Sequence, residues 1–354
     1  CSGKAAARLF PSPLRTARLR SDSAGSEPGC KPAIPMAATP LALTESEATT
    51  LIAQTAARCR QAATRIKPYV RNTELVTCAA FDEIVSANIY FKMENRQHGG
   101  SFKIRGAFNR LLTLTTQQRS AGCVTASSGN HGAAVACALR SLAIDGVIFV
   151  PEHTSSAKVE AIRAYGGEVR FFGDDGLDTE NFARDFADRK GLFYVSPYND
   201  HEVIAGQGTC GTEIEAALPD VDTVFIAVGG GGLVSGTGSV LKAHNPDITI
   251  VGCQPQASAV MAHSVAAGRI LQMASDPTLS DGTAGGIEHD SVTFPITRAV
   301  VDEFSVVSEA EIAAAMRLFM GSLDESIEGA AGVAVAAMLQ QRAGLAGKKI
   351  AVII

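Results

Sequence analysis

The sequence predicts an α/β protein built from two three-layer αβα domains with mostly parallel sheets. Two observations carry that expectation. At 354 residues the chain exceeds what a single hydrophobic core serves well. Its strand-like runs also alternate with helix-length segments in two separate stretches, the pattern of parallel sheets covered on both faces.

Taken in order, residues 45–63 place apolar side chains at helical spacing, and Lys67-Pro68 stops that helix. A strand pair is expected at 75–76 and 89–93. Residues 106–114 read as a helix, which puts Lys103 in the turn entering it. The first alternating run follows: strand 123–125, helix 133–140, strand 147–150, helix 156–165, strand 168–172, helix 179–190 and strand 192–195. The second run has strands at 223–228 and 248–252, then helices at 309–323 and 329–341. Residues 348–354 read as a buried strand, and a core strand closing the chain without a cap suggests a fragment. No internal repeat or low-complexity block interrupts these runs. The expected division is an N-terminal segment at 1–45, a larger domain at 46–121 and 199–354, and a smaller domain at 122–198.

Composition narrows the partners. The formal net charge is −5 and the basic residues form no long stripe, which argues against nucleic acid. No stretch of 18 or more apolar residues argues for a membrane span, so a small molecule is the expected partner. The eight cysteines include no CxxC pair. That spacing suits neither a zinc site nor a disulfide framework, so reduced buried thiols in an intracellular protein are expected, and no metal. Up to residue 40, Arg8, Arg15, Arg18 and Arg20 stand among Ala, Ser and Pro with Asp22 and Glu27 as the only acids. This resembles an organellar transit peptide, as against a cytoplasmic protein with a disordered tail or a gene start at Met36.

Three stretches carry chemistry. The first is Glu94-Asn95-Arg96-Gln97-His98-Gly99-Gly100-Ser101-Phe102-Lys103-Ile104-Arg105-Gly106-Ala107. An amine must lose its proton to attack an aldehyde, and a lysine near a helix start beside the cation Arg105 is disfavoured in its charged form. Gly99 and Gly100 would let backbone approach a bound ring. Alone, a lysine after glycines reads as a solvated surface residue.

The second is Ser127-Ser128-Gly129-Asn130-His131-Gly132, which follows a strand and opens a helix. Free amides there point at an anion, and a substrate carboxylate suits Ser127, Ser128, Gly129, Asn130 and His131. The Asn130 amide could also hydrogen-bond a phenolic oxygen. An N-capping serine on an ordinary turn is the other reading, with His131 structural.

The third is Gly229-Gly230-Gly231-Gly232-Leu233, again between a strand and a helix. Four glycines can wrap their amides around a dianion. The run fits neither GxGxxG nor a loop ending in Gly-Lys-Ser/Thr, so dinucleotide and nucleoside triphosphate readings weaken. A ligand-free glycine loop is the alternative. Together, a lysine for an aldehyde, an amide for a ring hydroxyl and a nest for a phosphate are the fittings of pyridoxal phosphate.

These residues resemble the serine/threonine dehydratase and serine racemase group of pyridoxal-phosphate enzymes, tryptophan synthase β-like and of fold type II. The resemblance runs from about residue 51 to the end. It is carried by Lys92-Met93-Glu94-Asn95, Ser101 to Ala107, Ser127 to Gly132, Val203 to Thr209, the tetraglycine, Ser280-Asp281-Gly282 and Glu328-Gly329-Ala330-Ala331-Gly332. It implies a cofactor in the cleft between two domains, with Lys103 carrying it, Phe102 near its ring, Asn130 on its hydroxyl oxygen and Gly229 to Leu233 on its phosphate. It further implies that Ser128 is an acid/base on the opposite face of the substrate. The implied reaction is ammonia elimination from L-serine, L-threonine or a related β-hydroxy amino acid, giving a 2-oxo acid. Lys103 takes the α-proton and the β-hydroxyl leaves as water. A homodimer or higher homo-oligomer is implied as well.

Three departures stand out. Gly99 occupies a position where the group usually has threonine. Gln254 and Val260 stand where metal-activated racemases have carboxylates, so no divalent-cation site of that type is expected. A Ser/Cys-Gly-Gly-Asn segment would be expected after Ile354, and no effector domain is read after Gln341. A serine or aspartate racemase is the nearest alternative. From a different class, the chain could be a non-catalytic relative that binds a phosphorylated ligand.

Overall fold

The first described helix shows local signals becoming an element. Thr44 caps helix Glu45–Ile66 through a reciprocal pair of bonds with Glu47. Its small buried residues Ala56, Cys59 and Ala62 then pack against Ala205 and Val240 from later helices. This computed structural model describes residues 43–354, which lie within one compact unit. The transit-like reading falls on residues 1–42, outside the described residues.

Ten strands organise the described residues: β1 (Leu75–Thr77), β2 (Asn88–Lys92), β3 (Cys123–Ala126), β4 (Gly146–Val150), β5 (Glu168–Phe171), β6 (Phe193–Tyr194), β7 (Thr223–Ala227), β8 (Thr249–Pro255), β9 (Glu303–Val307) and β10 (Lys349–Ile353). They form two sheets, ordered β1-β2-β10-β7-β8-β9 and β5-β4-β3-β6. Every pairing is parallel except β1 with β2. The α/β class expected from the sequence is the one observed.

Strand alternation explains why each sheet is covered twice. In β10, Ile350 and Val352 join Ile89, Phe91, Phe225 and Val251 against helices Glu309–Leu323 and Gly329–Gln341. Ala351 and Ile353 face the other way, with Val224, Ile226 and Ile250 against helices Thr209–Ala217 and Gly232–His244. In the four-stranded sheet, Val124, Val147 and Phe149 meet Ala183 and Ala187 of helix Gly176–Lys190. The opposite face carries helices Asn130–Leu142 and Ser156–Ala164, with Ile104, Phe108 and Leu111 of helix Lys103–Leu112 in the same cluster.

Several elements escape the sequence reading: helices Ala79–Val85, Thr116–Ala121, His201–Gln207, Thr209–Ala217, Val260–Ala267 and Thr293–Val300, and the edge strand β9. The pair at 201–217 forms where backbones nearly touch. A Cβ on Gly208 would lie 2.8 Å from Gly236, so glycines that weaken a helix locally are required for its packing. Helix Lys103–Leu112 also starts earlier than expected, with Lys103 as its first residue and not in the turn before it.

No described helix is long and apolar enough to cross a membrane. The described cysteines are all unpaired, with Cys59, Cys123, Cys210 and Cys253 buried.

Candidate functional site

Lys103 stands at the first turn of its helix, its Nζ donating to the Pro197 carbonyl at 3.1 Å and lying 5.4 Å from the centre of the Phe102 ring. Burial holds its pKa down, from 10.5 to about 8. That corrects the sequence argument about Arg105. The Arg105 guanidinium is fully buried and neutralised: it donates to Glu94 at 2.8 and 2.7 Å and to Glu213 at 2.7 and 2.8 Å. Its charge is therefore spent on two carboxylates, and desolvation alone lowers the lysine. Gly99 and Gly100 adopt φ of +80° and +74° and line a cavity of about 870 Å³ with Tyr69, Arg71, Arg96 and Arg140. They turn the chain toward Lys103, a conformation that residues with a Cβ resist.

The glycine run follows β7 and opens helix Gly232–His244, with Gly231 as N-cap at φ +88°. Each position has a packing reason. A Cβ on Gly229 would lie 3.1 Å from Thr283, one on Gly230 would enter the Tyr198 ring, and one on Gly231 would lie 2.8 Å from Thr297 Oγ1. Thr293 Oγ1 donates to the Gly230 carbonyl at 2.6 Å and holds the loop from below. The first-turn amides of Gly232, Leu233 and Val234 have no acceptor within their own helix, so the loop presents donors to an anion.

The serine loop follows β3. Neither serine caps helix Asn130–Leu142: the N-cap is Gly129, while Ser127 Oγ accepts from the Gly129 amide at 3.2 Å. Ser128 is half-buried, and its hydroxyl makes no hydrogen bond to another group among the described residues. Asn130 Nδ2 donates to Glu328 Oε2 at 2.8 Å. His131 is buried with Nε2 3.1 Å from the Val195 carbonyl and Nδ1 unpartnered. Burial first, and the nearby Lys103 ammonium second, push its pKa to about 3, which leaves the ring neutral at ordinary pH.

Contacts tie the three stretches into one place. Lys103 meets Pro197, and the next residue, Tyr198, backs Gly230 and Gly232. Gly229 adjoins Thr283 of the Ser280-Asp281-Gly282-Thr283 turn, and Leu279 before that turn crowds Gly329, next to the Glu328 that bonds Asn130. His131 closes the circle through the Val195 carbonyl, on the same short stretch as the Pro197 carbonyl that Lys103 bonds. The sequence reading missed Tyr198 and Glu288, and it used Glu328 only as part of a motif. Nothing local marks Tyr198 or Glu288, whose meaning lies in partners about 30 and 90 residues away.

A family model described as "Pyridoxal-phosphate dependent enzyme" matches residues 66–354. The chain is 38% identical over 295 residues to an L-threonine ammonia-lyase of Thermotoga maritima, covering 83% of this chain and 73% of that one. It is 36% identical over 281 residues to a serine racemase of Oryza sativa subsp. indica, covering 79% and 82%. Among solved structures, maize serine racemase superposes with a TM-score of 0.80 at 34% identity, covering 84% of this chain and 91% of that one. The processed form of threonine deaminase isoform 2 from Solanum lycopersicum gives 0.82 at 29% identity, covering 91% and 94%.

Proposed function

Because the chain belongs to the family of pyridoxal-phosphate dependent enzymes, we propose that it is an ammonia-lyase converting L-serine, L-threonine or a related β-hydroxy amino acid to a 2-oxo acid and ammonia. The observation that carries the reading is the desolvated Lys103 amine joined through Pro197-Tyr198 to the glycine loop. The residues fit the cofactor: the loop offers unpaired amides at a helix start, Gly231 holds the left-handed turn, and Asn130 supplies a side-chain donor. Two relatives are named as ammonia-lyases acting on L-threonine, at 38% and 37% identity, which supports the substrate class.

When bound, pyridoxal phosphate supplies an aldehyde and a ring that accepts electrons from Cα. In this reading Lys103 Nζ would hold the aldehyde and would serve as the base for the α-proton, a task suited to an amine with pKa about 8. The amides of Gly229, Gly230, Gly231, Gly232 and Leu233 would hold the phosphate. Phe102 would stand near the ring, and the Asn130 amide, which bonds Glu328 here, would serve the ring hydroxyl oxygen. Ser127, Ser128, Gly129, Asn130 and His131 surround the substrate carboxylate, with His131 supporting the loop from its buried position. Loss of the α-proton and the β-hydroxyl releases water, and hydrolysis of the resulting imine gives the 2-oxo acid and ammonia.

A racemase is the second reading, favoured by the unbonded Ser128 hydroxyl, which could return a proton from the opposite face. Gln254 weighs against the metal-activated version, because its side chain is used on backbone: Nε2 donates to Val228 at 2.9 Å and Oε1 accepts from Ala262 at 2.7 Å. A division into a smaller domain at 122–198 and a larger one at 46–121 and 199–354 belongs to this proposal, as do an intracellular location and a homo-oligomeric state.

The test has two parts. Added pyridoxal phosphate should give a visible band that borohydride abolishes, absent in Lys103→Ala; a colourless parent protein sinks the enzyme reading. A panel of β-hydroxy amino acids should then yield 2-oxo acid. Inversion at Cα without oxo acid moves the assignment to racemase.

A further inference from the structure

Tyr198 stands outside the proposed catalytic and binding set, yet it touches the glycine end of it and directly follows Pro197, which holds the lysine end. Its ring fills the space a Cβ on Gly230 would need, and its own Cβ backs Gly232 at 3.2 Å from where a side chain would start. The preceding carbonyl, that of Pro197, takes the Lys103 hydrogen bond at 3.1 Å.

The Ser196–Asn199 segment is pinned on several sides. Ser196 Oγ accepts from the amides of Tyr198 and Asn199 at 3.4 and 2.9 Å. The Tyr198 hydroxyl accepts from the Glu288 amide at 3.0 Å. Asn199 Oδ1 accepts from the Val292 amide at 2.9 Å, and its Nδ2 donates to Glu288 Oε2 at 2.8 Å. Arg184, on the helix that covers the four-stranded sheet, reaches the same Glu288 oxygen at 2.9 Å and stacks 4.2 Å from the centre of the Tyr194 ring. The segment is thus held by its own Ser196 and by the stretch 288–292, which Arg184 ties down in turn, while it supports the lysine on one side and the glycine loop on the other.

We propose that Tyr198 is a positioning residue: its ring sets the height of the glycine loop relative to Lys103. A rigid ligand bound at two ends loses affinity when the spacing of its two sites is free to vary, even if each site stays intact. The inference rests on the reading of Lys103 as the cofactor lysine and the glycine loop as the phosphate site.

The experiment compares two probes on protein freed of cofactor. Pyridoxal phosphate engages both ends, whereas pyridoxal, lacking the phosphate, reports on the lysine end alone. Tyr198→Leu should weaken pyridoxal phosphate about tenfold or more and leave the borohydride-trapped pyridoxal adduct at Lys103 unchanged, even though the lost packing lowers the urea midpoint. Tyr198→Phe, which keeps the ring, should restore affinity to within about threefold of the parent. Tyr198→Met, a milder loss of the ring face, should reproduce the phosphate-selective loss and keeps the test open should Tyr198→Leu fail to fold. Equal loss of both probes, or parental affinity in Tyr198→Leu, overturns the positioning role. If the parent itself forms no Lys103-dependent adduct with pyridoxal phosphate, the underlying reading falls instead.

Discussion

The glycine loop after β7 and the serine loop after β3 are built alike, each a strand running into a helix start, but they are held differently. Around the glycine loop, Thr283, Tyr198, Thr297 and Met261 all stand where side chains at Gly229, Gly230 and Gly231 would go. Around the serine loop, a Cβ on Gly129 would meet nothing within 4 Å, and the Asn130 side chain is tied to an exposed residue, Glu328. Gly132, at its far end, is the exception, since a Cβ there would enter the Ser127 carbonyl. In the proposed function this difference would suit a rigid site for the cofactor phosphate and an adjustable one for the substrate carboxylate. Preorganised amides retain a phosphate well, while a substrate loop has to admit and release its ligand.

The largest expected effect lies outside both loops, in the helix that carries Lys103. Arg105→Leu strands the buried carboxylate of Glu94 and should cost about 3–5 kcal/mol in urea unfolding. A loss under about 1 kcal/mol would show that the network is dispensable to the lysine's helix.

Between the loops, Lys103 should make the cofactor-free protein sensitive to alkaline pH. Its folded pKa, about 8, lies below the unfolded 10.5, so the unfolded state binds more protons across that window. The penalty is complete below pH 8 and disappears as pH rises toward 10.5. Stability should therefore climb by about 3 kcal/mol over that interval, and Lys103→Met should flatten the climb.

Two alanine substitutions then test the comparison itself. Gly230→Ala drives a methyl into the Tyr198 ring and should cost about 1–3 kcal/mol, read as a lower melting temperature. Gly129→Ala, at φ −111° with open space around it, should be neutral or stabilise by about 0.4–1 kcal/mol, because it restricts the unfolded chain. Equal costs at the two positions would erase the distinction between a clamped loop and an open one.

Much of the site was legible from one-dimensional signals. A glycine run between a strand and a helix points to close approach or an anion nest, with a ligand-free loop as the alternative, so Gly229–Gly232 stood out in the sequence as a candidate. The alternating runs likewise announced two parallel sheets. Less visible was what neutralises or supports these groups. Arg105 looked like a cation acting on Lys103 because the two are adjacent in the chain, yet Glu94 and Glu213 absorb its charge. Helix Val260–Ala267 and helix Thr293–Val300 were missed because short segments owe their stability to the core they join, not to their own periodicity.

By itself the sequence determined the elements whose code is local: the strand and helix periods, the lysine at a helix start, and the glycines that leave amides unpaired. Only the tertiary structure decided the values those groups take. Desolvation at Lys103, the support of the glycine loop by Tyr198, and the bonding of Asn130 to Glu328 each depend on residues far apart in the chain. Burial and electrostatic pairing depend on distance through space, which chain neighbours reveal only in part.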